Sequence, residues 1–182
     1  MNRLFLWFYC LPIPQAVLLM ALAAMVFLLL REQLEDVPCW KPGVLILFSC
    51  SVALIIYATL CQRTEGSNLT QPVLMPFHSY HTAFNGGSRE IFRTNFMNTV
   101  LFFPAGLLGS SLLPRRWRSG GKILLTAFVF AIVSIGIEYA QYRFGLGLAE
   151  TDDVLHNTLG SLAGAFTCGF PAPRLKSLGK RK

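Results

Sequence analysis

The sequence predicts an all-α protein, a polytopic transmembrane helical bundle of about five spans. Three observations predict it. The 182 residues are 53% hydrophobic and 14% charged, with a mean hydropathy of +0.50, a balance that soluble domains of this length rarely show. The apolar residues gather into runs near 20 residues, the length that crosses a hydrocarbon core of about 30 Å. The basic residues sit in short segments beside those runs, as they do at membrane boundaries.

Leu4 to Leu30 is apolar except at Pro12, Pro14 and Gln15. At about 1.5 Å per residue, Leu11 to Leu30 alone spans the core. The next residues, Arg31-Glu32-Gln33-Leu34-Glu35, are not a small-residue cleavage site, so an uncleaved helix is expected rather than a signal peptide. Arg31 to Pro42 reads as a polar connection, and Gly43 to Cys61 as the second span. Ser49, Ser51 and Thr59 are tolerated there because their hydroxyls can bond carbonyls of the preceding turn.

Gln62 to Thr94 is the longest polar segment and carries Pro72, Pro76 and Gly86-Gly87. A structureless loop of that length is usually functional, and Phe77, Tyr80 and Phe84 place it at the headgroup region. His78 and His81 are three apart and would need further ligands to hold a metal; interfacial histidines are the plainer reading. Asn68-Leu69-Thr70 fits the glycosylation pattern, which is too short to weigh. Phe96 to Leu113 is the third span, with Asn95 and Asn98 on one face at its start and a kink expected at Pro104. Ile123 to Tyr142 is the fourth, Phe144 to Asp152 a Gly-rich loop, and Asp153 to Phe170 the fifth.

The expected organisation is an N-terminal helix with its loop (1–42), a four-helix membrane domain (43–170) and a basic tail (171–182). Five spans put eleven Lys and Arg on the side of the Arg31–Pro42 and Pro114–Lys122 loops and the tail, and five on the other. The first side is then cytoplasmic, with the N-terminus out and the C-terminus in. The net charge of +7 is accounted for by orientation and anionic lipid, so no nucleic-acid partner is expected. Cys10, Cys39, Cys50, Cys61 and Cys168 contain no CxxC pair and suggest neither a disulfide framework nor a zinc site.

The candidate site lies where acids and amides interrupt the apolar pattern. Glu138 and Gln141 are three apart and share one face of the fourth helix. Asp153, Asn157, Gly160 and Gly164 follow at steps of three or four on the fifth, the two glycines as a small-residue packing face. Capping by Thr151, Asp152 and Asp153 explains one of the acids but not Asn157 a turn deeper. Glu138 must be protonated, bound to a cation or paired with Arg93, Arg89 or Arg143, and a buried Glu–Arg strut is the structural alternative. The candidate ligand-binding residues are Arg93, Asn95, Asn98, Glu138, Gln141, Asp152, Asp153 and Asn157. They are expected to converge on one polar pocket at the outer face. Were the protein an enzyme, Glu138 and Asp153 would be the catalytic candidates. No metal and no cofactor is expected, because no set of three ligands stands out.

These residues resemble the VanZ-like family of bacterial membrane proteins. Its Glu-x-x-Gln stands here as Glu138/Gln141, and its Asp-x-x-x-Asn-Thr-x-Gly as Asp153, Asn157, Thr158 and Gly160. An upstream element stands as Asn95, Asn98, Phe102, Pro104 and Gly106, with a Pro-Phe pair at Pro76-Phe77. The resemblance covers Gly43 to Phe170 and makes the first helix an addition to a four-helix core. Where the family often carries Arg and an acid three residues on, this chain has Gly147 and Glu150.

The resemblance implies a protein of the bacterial inner membrane, in a family associated with teicoplanin resistance and cell-envelope loci. Two functions follow as expectations. The favoured one is a non-enzymatic binding or accessory protein. Its partners would be membrane lipids, a lipid-linked cell-wall or polysaccharide precursor or a glycopeptide, and partner membrane proteins. The alternative is a membrane-embedded enzyme in which Glu138 or Asp153 performs acid–base or metal-assisted chemistry on an envelope lipid head group.

Overall fold

The computed structural model describes residues 11–61, 71–85 and 89–170. They form six α-helices: α1 Ile13–Leu34, α2 Trp40–Ile56, α3 His78–Phe84, α4 Arg89–Leu112, α5 Ser119–Phe144 and α6 Thr151–Cys168. The only pairing of extended backbone among these residues is one parallel bridge, Val73 with Glu150. The expected all-α bundle is the fold found. The expected glycosylation pattern, the Gly86-Gly87 pair and the basic tail lie outside the described residues.

Three helices, α1, α5 and α2 with its continuation to Cys61, are long and apolar enough to cross a membrane by themselves. Their outward faces are apolar, with Leu18, Ile46, Leu124 and Phe128 all more than half exposed. The other two long helices carry more polar residues because their neighbours are protein. α4 touches α1, α2, α3, α5 and α6. One apolar cluster packs Leu101, Phe102 and Ala105 of α4 against Ile55, Phe130 and Ile137. On the other side Phe103, Leu107 and Leu108 meet Ala24, Phe27 and Val44. α4 is therefore the axis of the bundle.

α4 and α6 run parallel with their backbones in contact. A Cβ on Gly160 would overlap the Thr99 carbonyl, one on Gly164 the Phe103 carbonyl, and one on Gly106 the Ser161 carbonyl. Between lipid-embedded helices the attraction is mainly close van der Waals contact, which small residues permit. The sequence expectation for Gly160 and Gly164 thus acquires a partner surface, with Gly106 as its complement on α4.

Several boundaries differ from expectation. α2 begins at Trp40 rather than Gly43 and finishes in a π-helical turn, Tyr57–Cys61. α4 begins at Arg89, seven residues before the expected start, and runs unbroken through Pro104, whose ring lies on an exposed face. The segment expected as loop contains α3. Its start, Phe77, adopts a left-handed conformation with φ of 62°, rare for a bulky residue.

Candidate functional site

α5 and α6 are joined by a short turn in which Gly145 takes the left-handed cap, with φ of 63°. They are therefore antiparallel neighbours, and their register is fixed by two hydrogen bonds. Asn157 Nδ2 donates to Ser134 Oγ at 2.8 Å, and the Glu150 backbone N–H donates to Glu138 Oε2 at 3.1 Å. Glu138 lies one turn beyond Ser134, and Asp153 one turn before Asn157, so this register sets Glu138 and Asp153 at the same level. Both are buried. Asn98 Nδ2 of α4 donates to Asp153 Oδ1 at 2.7 Å. Both carboxylates have further partners.

Gln141 is 1% exposed and donates through Nε2 to the Thr59 carbonyl at 3.0 Å. That carbonyl belongs to the π-helical turn, where the backbone ladder is irregular. Gln141 Oε1 and Asn157 Oδ1 are buried without a hydrogen-bond donor. Buried acceptors of that kind are uncommon and are normally met by water or a ligand.

Asp152 does different work. Its Oδ1 accepts the Phe77 N–H at 2.5 Å, and its Oδ2 accepts both the Ser79 N–H at 2.9 Å and the Ser79 hydroxyl at 2.5 Å. Asn95 Nδ2 in turn donates to Ser79 Oγ at 2.8 Å. The carboxylate thereby ties the start of α3 to the start of α6, and its hold on the Phe77 and Ser79 N–H groups keeps Phe77 in its strained conformation. Asp152 and Asp153 do stand in the first turn of α6, as the capping alternative expects, but the N-cap is Glu150 and no side chain caps the helix. Beside this tie, Val73 N–H donates to the Ala149 carbonyl and Thr151 N–H to the Val73 carbonyl, at 2.9 and 3.1 Å.

His156 completes the cluster. Its Nδ1 lies 2.6 Å from the Asp152 carbonyl and its Nε2 2.6 Å from the Tyr80 hydroxyl. A carbonyl only accepts, so Nδ1 carries the proton and Nε2 receives the Tyr80 O–H. The two rings stack with centroids 5.6 Å apart. Burial, with the Asp152 carboxylate second, pushes the Tyr80 hydroxyl above its usual pKa. Tyr80 and Phe84 also pack edge-on against Phe92, each at 5.5 Å, which seats α3 on α4.

Arg93 is partly exposed, and Glu35 forms ion pairs with Arg31 and Arg115. His81 is exposed and bonds Asn85. Ser79, Tyr80, Ser134 and Thr59 are site residues that sequence reasoning missed. Ser134 had a usable signal, since it stands four before Glu138 on the same face.

Outside this buried seam, between α5, α6 and the 72–74 segment, lies a cavity of about 470 Å³. Ile135, Tyr139, Val154 and Leu74 are among its apolar walls, and Glu138 and Glu150 are its acidic residues.

With the site in place, the match to known proteins is decisive at family level. The VanZ/LLP1 family model matches residues 16–170. The chain belongs to the VanZ/LLP1 family. The VanZ/LLP1 match contains every candidate residue. It also starts within α1, whereas the motif resemblance began only at Gly43. No curated protein and no solved structure matches the chain. Family membership and three apolar helices make it a VanZ-like membrane protein.

Proposed function

We propose that this VanZ-like protein binds a lipid-linked envelope precursor or a lipoglycopeptide at the outer face of the bacterial inner membrane, without transforming it. The observation that carries the reading is the cavity beside Glu138. It offers apolar walls to a hydrocarbon chain and a carboxylate to the head group, at the level where a lipid ligand changes from one to the other. The flanking seam is rich in acceptors: two carboxylates and the unpaired Gln141 and Asn157 oxygens. Such a seam favours a head group that donates O–H or N–H bonds, as sugars and peptides do. Teicoplanin combines a fatty acyl chain with a glycopeptide and fits the same description. The family association with envelope loci and teicoplanin resistance agrees with this reading.

Photo-crosslinking in nanodiscs tests it, using a diazirine-bearing polyprenyl-diphosphate sugar as the probe. Labelling is expected on Tyr139 and Val154, weakened in Glu138→Gln and lost in Val154→Trp, which fills the cavity. Labelling that Val154→Trp leaves unchanged would overturn the proposal. Turnover of the probe that disappears in Glu138→Gln would replace it with the enzymatic alternative.

A further inference from the structure

A second cavity lies at the opposite end of the bundle, where α1, α4 and α6 end and α5 begins. It encloses about 190 Å³, and its walls include Arg31, Arg115, Lys122, Ser119, Trp117 and Glu35. Three cations thus face one carboxylate. Arg31 Nη1 donates to the Cys168 carbonyl at 2.6 Å, covering the negative end of α6. Arg115 Nε donates to Glu35 Oε1 at 2.6 Å. Glu35 therefore holds the two guanidinium groups in place without neutralising them both. Lys122, in the first turn of α5, makes no ion pair among the described residues.

The same turn of α5 has no side-chain cap, and Ser119 at its start lines the cavity. Three cations and a hydroxyl lining one small space at a helix N-terminus form a site for a tetrahedral oxyanion. Next to it, α5 presents an uninterrupted apolar face, with Leu124 70% and Phe128 63% exposed, and Trp117 stands at its rim. An anion held here has a surface alongside for attached acyl chains.

We infer that this cavity holds the phosphate of an anionic phospholipid, with its chains lying along α5. The site is separate from the Glu138 cavity and does not depend on the function proposed for it. It gives a physical role to basic residues that orientation alone leaves unspecific, since basic pockets between spanning helices are recurrent sites for anionic head groups.

Native mass spectrometry of the delipidated full chain supplies the test. Phosphatidylglycerol should be retained over phosphatidylcholine, whose choline brings a cation to a cationic site. Lys122→Gln should reduce that preference about fivefold, the effect expected of one basic residue near a charged surface. Arg116→Gln, which removes an exposed cation outside the cavity, should leave it unchanged. Equal retention of the two lipids, or equal losses in the two variants, would overturn the site. Displacement of phosphatidylglycerol by an equal concentration of inorganic phosphate would assign the cavity to free phosphate and overturn the lipid.

Discussion

Glu35 and Asp152 are carboxylates near opposite ends of the bundle, and their surroundings separate their roles. Glu35 is bonded by Arg115, and this hydrogen bonding holds its carboxyl below the usual range despite partial burial, with the charges of Arg31 and Arg115 adding to the effect. A carboxylate depressed in the folded state contributes stability above its unfolded pKa, about 4.3. That stability is lost as pH falls through the lower, folded value. The melting-temperature difference between the wild type and Glu35→Gln should accordingly be greatest near neutrality and shrink below about pH 4. A pH-independent difference would mean that the ion pair contributes nothing. Asp152 shows how far the site was legible. Its neighbours in sequence suggested capping, but its bonding partners are Phe77 and Ser79, 75 and 73 residues away. Spacing along one helix cannot reveal partners of that kind. It did reveal the shared faces of Glu138 with Gln141 and of Asp153 with Asn157, since those depend only on helical periodicity.

At the scale of elements, hydropathy made α1, α2 and α5 readable because their side chains face lipid. α3 was missed because seven residues are too few to show a period, and its starting conformation is imposed from α6. The early start of α4 was missed because Arg89 to Thr94 is polar, although Phe92 within it receives α3. The parallel contact of α4 and α6 is the element-level feature most open to test. Gly160→Ala adds one methyl group against the Thr99 backbone, which cannot rotate away as a side chain could. The expected loss is about 1–3 kcal/mol, the usual effect of overpacking, read as a lower unfolding temperature in detergent. Gly136→Ala on α5 meets nothing within 4 Å and is the matched control. Equal effects from both would remove the close-contact explanation.

At the scale of the molecule, the excess of Lys and Arg in two loops and the tail predicts the orientation. With that orientation the Glu138 cavity would face outward and the Arg31–Arg115–Lys122 cavity inward. In a cysteine-free background, Thr82→Cys in α3 should react with an impermeant maleimide on intact cells. Arg116→Cys between α4 and α5 should react only after permeabilisation. Both positions are exposed, whereas Ser79 is buried under Asp152 and would report packing instead of sidedness. Reaction of both from the same side would end the five-span arrangement.

The polarity of α4 has a consequence for the order of synthesis. α4 emerges from the ribosome before α6, carrying Asn95 and Asn98 whose partners are not yet complete. Asn98 bonds Asp153, and Asn95 bonds Ser79, which is itself held by Asp152. Neither α4 nor α6 belongs to the helices apolar enough to cross unaided. A nascent chain ending at Phe144 therefore carries an axis whose Asn98 lacks its acidic partner, in a solvent that supplies none. Such a truncation should be cleared by membrane proteases within minutes of a pulse label, while the chain continued to Phe170 persists. Equal lifetimes would mean that α4 is accommodated without α6, and that the polar seam forms after insertion is already secure.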